Sequence, residues 1–324
     1  MAKYLITGVA GFIGSALAEA LLKRGEDVRG IDNFVTGRRT NIEPFVSQMD
    51  FREADLRDAA AMRAACQGVE VIFHEGALPS VPRSVKEPGP SHDANINGTF
   101  TLLEAARAAG VRRILYAASS SAYGNQPGMP RRESMTPAPI APYAVQKLTG
   151  ELYMKSYWQV YGMETACLRY FNIFGPRQAP DSPYSGVMAK FILQMMRGER
   201  PTIFGTGEQG RDFTYIANAV SANLLAAGAP KEKIGGRTFN VACGGRHTLN
   251  ETYRILAGLL EFPHPAQYGP PRLGDITDSE ADISAAREAF GYEPVVGFEE
   301  GLKRTVDWYR DVFARQLTEG TPVS

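Results

Sequence analysis

The sequence predicts an α/β fold with a doubly wound parallel sheet, because short apolar runs alternate with amphipathic stretches from the first residues onward. Residues 4–7 form an apolar run of strand length, and over 12–23 the side chains of Ile13, Leu17 and Leu21 recur every four residues, as on one helix face. The same patterns predict strands over 27–32, 49–54, 69–74 and 113–118, and helices over 58–66 and 94–109. Right-handed connections between such units give a parallel sheet with helices on both faces.

The second half of the chain differs in composition, with frequent proline and glycine after Leu168. Residues 239–242 have the pattern of a strand that returns to the main sheet. Two helices are predicted between irregular loops, over 187–197 and 249–260. We therefore predict a sheet domain over 1–176, to which 213–242 return, and a smaller α/β lobe over 177–324 that carries substrate specificity.

Charge and cysteine content exclude several classes of partner. Lys plus Arg number 35, as do Asp plus Glu, so there is no electrostatic reason to expect nucleic acid or an acidic membrane. The cysteines form no CxxC or Cys/His cluster, which predicts reduced thiols and no metal site at Cys66, Cys167 and Cys243. Met1 leads into the first strand without a signal peptide, and no apolar run approaches the ~18 residues of a membrane helix, so a cytoplasmic protein is expected.

Three glycines, Gly8, Gly11 and Gly14, lie between the first predicted strand and the first predicted helix. In that context Gly8 allows a tight turn, Gly11 lets backbone amides approach a pyrophosphate at the helix N-terminus, and Gly14 allows close packing of helix on sheet. Their spacing is three and three, whereas the common dinucleotide fingerprint has two and three. The alternative is a glycine-rich turn that binds no ligand.

Asp32 ends the second predicted strand, 18 residues after Gly14. A carboxylate there can accept hydrogen bonds from both hydroxyls of an adenosine ribose and would repel a 2′-phosphate, which favours NAD over NADP. The alternative is an aspartate that only caps a turn. Asn33 follows Asp32 directly. After the third strand, Asp55 and Leu56 are candidates to hold the adenine edge.

Tyr143 and Lys147 are the central candidates for catalysis, because a spacing of four places them on one face of a predicted helix. Tyrosine, with a pKa near ~10, is a poor base at neutral pH. A neighbouring ammonium and a positively charged nicotinamide ring both favour the phenolate. The Tyr-x-x-x-Lys pattern also arises by chance, so its meaning depends on the residues that accompany it.

Three serines, Ser119, Ser120 and Ser121, follow the fifth predicted strand. A hydroxyl at the carboxyl end of that strand would lie over the cofactor cleft, where ligands bind in such sheets. The alternative is a serine-rich turn. Asn95, on the preceding predicted helix, is a candidate to orient Lys147 through a water molecule, or else a buried structural asparagine.

Taken together, the glycine turn, the serines and Tyr-x-x-x-Lys resemble the extended short-chain dehydrogenases/reductases, and within them the UDP-sugar 4-epimerases of the UDP-galactose and UDP-N-acetylglucosamine type. The similarity runs over nearly the whole chain and includes four further motifs: residues 74–77 (HEGA), 169–177 (RYFNIFGPR), 210–213 (GRDF) and 272–276 (RLGDI). It implies a Rossmann-like cofactor domain, bound NAD, a catalytic hydroxyl at Ser119, and a homodimer formed by helix 94–109 and the helix of Tyr143. The expected cofactor-binding residues are Gly8, Gly11, Phe12, Ile13, Gly14, Asp32, Asn33, Asp55, Leu56, Ala77, Asn95, Tyr143, Lys147 and Tyr170.

The resemblance also implies a nucleotide-sugar site. Asn172, Arg211 and Arg272 match residues that bind the diphosphate, and two guanidinium groups suit a pyrophosphate. A surface salt bridge is the alternative for each arginine, and a core position is the alternative for Phe204 and Val187, which match residues of the uracil pocket. Four residues after Asp275 the family has a residue that closes the sugar pocket beside C2; it is Ser279 here, which predicts that N-acetyl sugars are accepted. Ser80, Ser119, Ser120, Ser121 and Tyr143 complete the expected substrate site.

These observations favour a UDP-hexose 4-epimerase in which the Tyr143 phenolate, helped by Ser119, takes the 4-hydroxyl proton while hydride passes to NAD and later returns to the other face. Related dehydratases and decarboxylases carry acids after the catalytic hydroxyl, and this chain has Ser120 and Ser121. A UDP-glucuronate 4-epimerase, another nucleotide-sugar dehydratase or decarboxylase, and a non-catalytic NAD-binding sensor remain alternatives.

Overall fold

The computed structural model of the protein describes residues 3–179, 186–271 and 278–319, with side chains up to residue 314. Its strands are β1 Tyr4–Thr7, β2 Val28–Asp32, β3 Asp50–Glu53, β4 Val71–His74, β5 Arg113–Ser119, β6 Glu164–Tyr170, β7 Ile173–Phe174, β8 Thr202–Phe204, β9 Gly210–Arg211, β10 Thr214–Tyr215, β11 Arg237–Val241, β12 His247–Thr248, β13 Gln267–Gly269 and β14 Asp278–Ser279.

The helices flank these strands in chain order. They are α1 Phe12–Leu22, α2 Arg39–Ile42, α3 Ala59–Cys66, α4 Val81–Lys86, α5 Pro88–His92, α6 Gly98–Ala108, α7 Pro142–Tyr161, α8 Val187–Met196, α9 Ile216–Gly228, α10 Lys231–Ile234, α11 Leu249–Leu259, α12 Ser284–Phe290 and α13 Phe298–Glu319. Two 3₁₀ turns (Val46–Gln48 and Ser120–Tyr123) and one π-helical turn (Asp93–Asn97) complete the set.

Seven strands form one parallel sheet in the order β3-β2-β1-β4-β5-β6-β11. The order reverses direction between β1 and β4, and ligands bind at such a switch point beyond the carboxyl ends of the strands. The register brings the last residues of neighbouring strands together: Thr7 pairs with His74, and Ser119 pairs with Tyr170. The predicted doubly wound α/β fold is confirmed, and β11 returns to the sheet beside β6 as expected.

Buried apolar side chains cover both faces of the sheet. On one face Leu17 of α1 packs with Ala222 of α9 and Ala286 of α12. On the other, side chains from α3, α6 and α7 form a second cluster, represented by Met62, Leu102 and Met154. Helix α12 therefore also packs on the sheet, although the sequence predicted that only residues 213–242 return to the sheet domain. The predicted domain boundary at residue 176 remains a prediction.

A third cluster forms the smaller lobe, where α8, α11 and α13 pack around aromatic residues such as Phe174, Phe213 and Phe298. The three-stranded sheet β12-β9-β14 and the pairs β10-β7 and β13-β8 lie in this part of the chain. Within the described residues, no helix is both long and apolar enough to cross a membrane.

One predicted helix is present but irregular at its start. The helix expected over 94–109 becomes a regular α-helix only at Gly98, and the turn Asp93–Asn97 before it is π-helical. A π-helical turn leaves the 3.6-residue period that predicts helices, so apolar spacing does not reveal it.

Candidate active site

The glycine turn after β1 is fixed by close backbone contacts. Gly8 has φ of +69°, and a Cβ there would lie 2.7 Å from the Cα of Gly76 in the loop after β4. A Cβ on Gly14 would lie 2.2 Å from the carbonyl oxygen of Gly8, which no real contact allows. Both positions therefore require glycine, and the turn brings α1 directly against the sheet.

The N-terminus of α1 is available to an anion. The helix begins at Phe12, and in the described structure Gly11 precedes it without a capping side chain, while the first turn contains no acid. Free amides and the helix dipole favour a negatively charged group there. A cavity of about 370 Å³ adjoins this end; its lining includes Gly8, Gly11, Phe12, Ile13, Gly14, Ala77, Ser80, Tyr143, Lys147 and Tyr170.

Asp32, at the end of β2, is buried and already bonded to the backbone around it. Its Oδ2 accepts a hydrogen bond of 2.9 Å from the amide of Ala10 in the glycine turn, and its Oδ1 accepts one of 2.8 Å from Phe34. Burial raises the pKa of the carboxyl group, and these two backbone hydrogen bonds oppose the rise. A ribose hydroxyl can donate to the carboxylate lone pair that these backbone bonds leave unused.

A second cavity, of about 210 Å³, continues from Asp32 along the ends of β2 and β3. Asn33, Asp55 and Leu56, which the sequence predicts as cofactor-binding residues, line this cavity. Asn33 Nδ2 donates a 2.8 Å hydrogen bond to Asp55 Oδ2, and the neighbouring Arg57 guanidinium holds the pKa of Asp55 well below its usual range. The rim of this cavity is therefore polar and fixed in place.

Asn95 holds the loop after β4 by direct bonds. Its Oδ1 accepts from the amide of Leu78 at 2.7 Å, and its Nδ2 donates to the carbonyl of Leu78 at 3.0 Å and to Gln146 Oε1 at 2.8 Å. Lys147 Nζ donates instead to the carbonyl of Ala117 at 2.8 Å. Of the two readings of Asn95, these contacts favour the buried structural asparagine, which positions the loop of Ala77 beside the cofactor cavity.

Tyr143 and Lys147 lie in the first turns of α7, on one face, as predicted. Pro142 begins the helix, and the Tyr143 amide donates to Ser84 Oγ of α4 at 3.0 Å. Tyr143 is half-buried, whereas Lys147 is buried. Both side chains line the cavity that contains the glycine turn.

The expectation that Lys147 and a nicotinamide ring both favour the Tyr143 phenolate left out burial and Glu75, which also act on this pair. Burial raises the pKa of Tyr143 to about 12; a hydrogen bond with Ser119 opposes this rise, and the Glu75 carboxylate adds to it. Burial also lowers the pKa of Lys147 to about 8, against the opposing effect of Glu75. The protein's own groups thus keep Tyr143 protonated, and the phenolate requires the further positive charge that nicotinamide provides.

The three serines after β5 occupy the 3₁₀ turn that follows the strand. Ser121 donates to Ser119 Oγ from its hydroxyl at 2.9 Å and from its amide at 3.2 Å. Because Ser119 Oγ accepts both bonds, its own hydroxyl hydrogen is left to donate to another group. All three serines are half-buried at the carboxyl edge of the sheet.

Glu75 and Arg83 are residues of this cavity to which the sequence interpretation gave no role. The Tyr170 hydroxyl donates to Glu75 Oε1 at 2.7 Å, so Tyr170, expected at the cofactor, is bound to an acid. The signal available in the sequence was an ionisable residue directly after the apolar strand Val71–His74.

A third cavity, of about 470 Å³, lies in the smaller lobe. Four residues expected to contact the nucleotide line it: Asn172, Val187, Phe204 and Arg211. Asn172 has φ of +39° and donates from Nδ2 to the carbonyl of Asp212 at 3.0 Å, which ties the end of β6 to this lobe. Gln178 and Gly186 line both this cavity and the cavity of Tyr143, so the two are adjacent.

The residues expected around the sugar fall in two groups. Ser279 is buried on β14, beside Arg211 of β9, with its Oγ 3.4 Å from Asn172 Nδ2. Ser80 caps α4 by accepting from the Arg83 amide at 3.2 Å and lines the cavity of Tyr143. Arg272 and Asp275 lie outside the described residues.

Comparison with known proteins shows how widely this architecture is shared. A UDP-glucose 4-epimerase of Mycolicibacterium smegmatis is 38% identical over 311 residues, 95% of this chain and 98% of that protein. A structure of a UDP-N-acetylglucosamine 4-epimerase from Methanobrevibacter ruminantium, in complex with UDP-N-acetylmuramic acid, has a TM-score of 0.91 at 37% identity and covers 96% of this chain and 99% of that one.

A structure of the UDP-glucuronic acid 4-epimerase of Bacillus cereus, in complex with UDP-glucuronic acid and NAD, has a TM-score of 0.88 at 31% identity and covers 96% of this chain and 99% of that one. Residues 4–242 match the model of the NAD dependent epimerase/dehydratase family. With most of the chain matched and relatives above 30% identity along nearly its full length, the protein belongs to this NAD-dependent family of extended short-chain dehydrogenases/reductases.

Proposed function

We propose that the protein is a UDP-sugar 4-epimerase that interconverts UDP-glucose and UDP-galactose and also accepts UDP-N-acetylglucosamine and UDP-N-acetylgalactosamine. One observation carries this proposal: Tyr143 lines one cavity with Lys147 and the glycine turn. That cavity adjoins the one lined by Asn172 and Arg211, so a nucleotide-linked sugar can reach the phenol.

The cofactor site fits NAD on steric grounds, because side chains at Gly8 and Gly14 would collide with backbone and the start of α1 offers free amides to a pyrophosphate. Asp32 would hold the adenosine ribose, and its charge would disfavour a 2′-phosphate. When bound, NAD supplies the hydride acceptor and donor for C4 of the sugar. Every other task belongs to side chains of the protein.

Tyr143 is the group we assign to the proton of the sugar 4-hydroxyl. Ser119 donates a hydrogen bond to its oxygen and can pass a proton between Tyr143 and the substrate. Lys147, fixed by its bond to Ala117, stabilises the phenolate once it forms. The same residues return the proton when the 4-keto sugar is reduced, so the reaction has no net oxidation.

The diphosphate is the handle about which the 4-keto sugar must turn to present its other face. Asn172 and Arg211, together with Arg272, are the residues we assign to it, and guanidinium groups bind such oxygens in a forked geometry. Phe204 and Val187 line the same cavity, and these apolar side chains suit a uracil ring. Binding through the nucleotide leaves the sugar free to rotate.

Sugar choice rests on the residues around C2. Ser279 and Ser80 are small, and we propose that they leave room for an N-acetyl group. Asp275 precedes Ser279 by four residues and belongs to the same substrate segment. Epimerisation is favoured over dehydration and decarboxylation because Ser120 and Ser121 are not acids at neutral pH.

A second candidate is 4-epimerisation of a UDP-uronic acid. Arg83 of α4 lines the same cavity as Tyr143, and a guanidinium group near the sugar could bind a C6 carboxylate. The Bacillus cereus neighbour acts on UDP-glucuronic acid. This candidate keeps the same roles for Ser119, Tyr143 and Lys147.

We further propose a homodimer that works in the cytoplasm. Apolar side chains are exposed along α6 and α7, namely Phe100, Val145, Leu152, Val160 and Tyr161. Large apolar side chains exposed on these two helices indicate a protein–protein interface. The free cysteines suit a reducing compartment.

The test is to incubate the purified protein separately with UDP-glucose, UDP-N-acetylglucosamine and UDP-glucuronic acid and to identify the products by NMR. The proposal predicts the C4 epimers of the first two substrates without accumulation of NADH. Turnover of the uronic acid alone would favour the second candidate. A 4-keto-6-deoxy sugar, a pentose or net NADH would contradict epimerisation.

A further inference from the structure

Glu75 is a carboxylic acid in the reaction cavity that the proposed chemistry does not use. It follows β4 directly, so it lies at the edge of the sheet where the turn after β1 and the serines after β5 also lie. Its side chain is half-buried and lines the cavity of about 370 Å³ together with Tyr143 and Lys147. An ionised group at this place acts on both through its charge.

Tyr170 holds the Glu75 carboxyl group, and Asn223 in turn holds Tyr170. The Tyr170 hydroxyl, at the end of β6, donates to Glu75 Oε1 at 2.7 Å and accepts a 2.7 Å hydrogen bond from Asn223 Nδ2. Asn223 is fully buried in α9, and its Nδ2 also donates to the carbonyl of Ala219 at 2.9 Å, so both amide hydrogens are used. These bonds fix the orientation of the carboxyl group.

A negative charge on Glu75 affects Lys147 and Tyr143 in the same direction. Burial raises the pKa of Glu75 to about 7, and the Tyr170 hydrogen bond and the Lys147 ammonium oppose this rise. In return, the carboxylate opposes the fall in the pKa of Lys147 and adds to the rise in the pKa of Tyr143. Ionised Glu75 thus favours the protonated form of both residues.

The other charged groups near the pair have separate partners or smaller effects. Glu151 on α7 also acts on Lys147, but it forms a buried, two-bond ion pair with Arg169 at 2.6 and 2.8 Å, which compensates its charge independently. The remaining ionisable or charged side chains around the pair come from β2 and the loop after it, β4, β5, β6, α4 and the loop after β7: Asp32, Arg38, His74, Tyr116, Cys167, Arg83 and Arg177.

We propose that Glu75 is a positioning residue of the reaction: its carboxylate, held by Tyr170 and Asn223, keeps Lys147 cationic and sets the pH range in which Tyr143 and Lys147 work. Glu75 acts through these two residues and not on the sugar. The kinetic test of this inference rests on the proposed function, because it measures how the rate of epimerisation depends on pH.

The test is Glu75→Gln, which removes the charge and keeps the volume and an oxygen that accepts from Tyr170. In the bell-shaped pH profile of kcat, the acid limb reports deprotonation of Tyr143 and the alkaline limb reports deprotonation of Lys147. Loss of the negative charge makes both deprotonations easier. Both limbs are therefore expected to move to lower pH, by about one unit.

Glu133→Gln is the matched control. Glu133 is also a half-buried acid whose pKa is raised by burial, and its Oε1 accepts from the Asn240 amide at 2.6 Å. It does not line the cavity of Tyr143. Its replacement is expected to leave the pH profile where it is, whatever it does to stability.

A second measurement does not depend on turnover. The phenolate absorbance of the NAD-loaded protein is titrated with pH, and the titration of Tyr143→Phe is subtracted to isolate Tyr143. The proposal predicts ionisation at lower pH in Glu75→Gln than in the unchanged protein, even if UDP-sugar turnover fails. An unchanged titration would overturn it, and so would complete loss of the acid limb in Glu75→Gln, because Glu75 would then itself be the proton acceptor.

Discussion

The cofactor half of the cleft is shaped by backbone atoms, whereas the substrate half is shaped by side chains. Around Gly8 and Gly14 the shape is set by backbone, since a side chain at either position would lie within 2.2 to 2.7 Å of backbone atoms. The cavity of the smaller lobe is instead lined by side chains, including Phe204 and Arg211, from a helix, loops and strands of two or three residues. The shape of the cofactor half therefore depends on backbone, and the shape of the substrate half depends on side chains that substitutions can change.

This difference separates what is shared within the family from what varies. A backbone-defined site restricts the residue types at a few positions, so it holds the same cofactor in many relatives. A side-chain-defined site can change ligand through single substitutions. Relatives of similar identity accordingly act on UDP-glucose or UDP-glucuronic acid.

The largest effect is expected at Tyr143, which lines the cavity of the glycine turn. Tyr143→Phe removes the group assigned to the 4-hydroxyl proton, and we expect kcat to fall by about 10³-fold while NAD remains bound. Turnover is measured by NMR of UDP-glucose and UDP-galactose, and bound NAD by release on denaturation. Tyr153→Phe, at a position of α7 where the ring packs against Phe100, is the control and should retain kcat. Equal losses in both variants would contradict the assignment.

One substitution made in both halves should have opposite effects. Gly14→Ala places a methyl group 2.2 Å from the Gly8 carbonyl oxygen, so bound NAD should be lost and stability should fall by about 2–4 kcal/mol. Gly258→Ala, on exposed α11 where a Cβ would meet no atom within 4 Å, should be neutral or stabilising by about 0.5–1 kcal/mol. Denaturant unfolding and NAD content measure both. Retention of NAD by Gly14→Ala would contradict the claim that backbone contacts at the glycine turn shape the cofactor site.

In the substrate half of the cleft, Ser279→Tyr should change the preference for the sugar. The bulky ring would occupy the space proposed for the N-acetyl group, so kcat/KM for UDP-N-acetylglucosamine should fall by about 100-fold relative to UDP-glucose. Ser279→Ala serves as the control, with an unchanged ratio. A ratio unaffected by tyrosine would remove Ser279 from the sugar pocket.

The smallest of these effects is expected at Asp32. Asp32→Asn removes the charge that disfavours a 2′-phosphate and keeps an oxygen for the Ala10 amide, so the preference for NAD over NADP should fall by about tenfold. Titration of the NAD-free protein with each dinucleotide measures it. The ratio of kcat/KM for UDP-glucose to kcat/KM for UDP-N-acetylglucosamine should stay constant, because Asp32 belongs to the cofactor half of the cleft. A change in this ratio would contradict the division of the cleft into a cofactor half and a substrate half.

The sequence was most informative where local geometry restricts residue type. The strands β1 to β5, the helix of Tyr143 and the return of β11 were all predicted, because apolar periodicity reports directly on burial. The structure also brings the predicted glycines, Asp32, Ser119 and Tyr143 to one edge of the sheet, since parallel strands end on the same side.

What the sequence did not reveal depends on contacts between distant segments. The bonds of Asn95 to Leu78, and those of Glu75 to Tyr170, join residues 17 and 95 positions apart. The expectation for the pKa of Tyr143 considered Lys147 and the nicotinamide ring but not burial, which has the largest effect on that pKa. Neither spacing nor composition reports how deeply a side chain is enclosed.

The central claim is that Tyr143 and Lys147 serve a transient oxidation at C4 of a UDP-sugar. The most direct measurement uses UDP-glucose carrying deuterium at C4, followed by NMR of the UDP-galactose formed. The account predicts that deuterium stays at C4 of the product and that no NADH accumulates. Loss of the label to solvent, or net NADH, would contradict it.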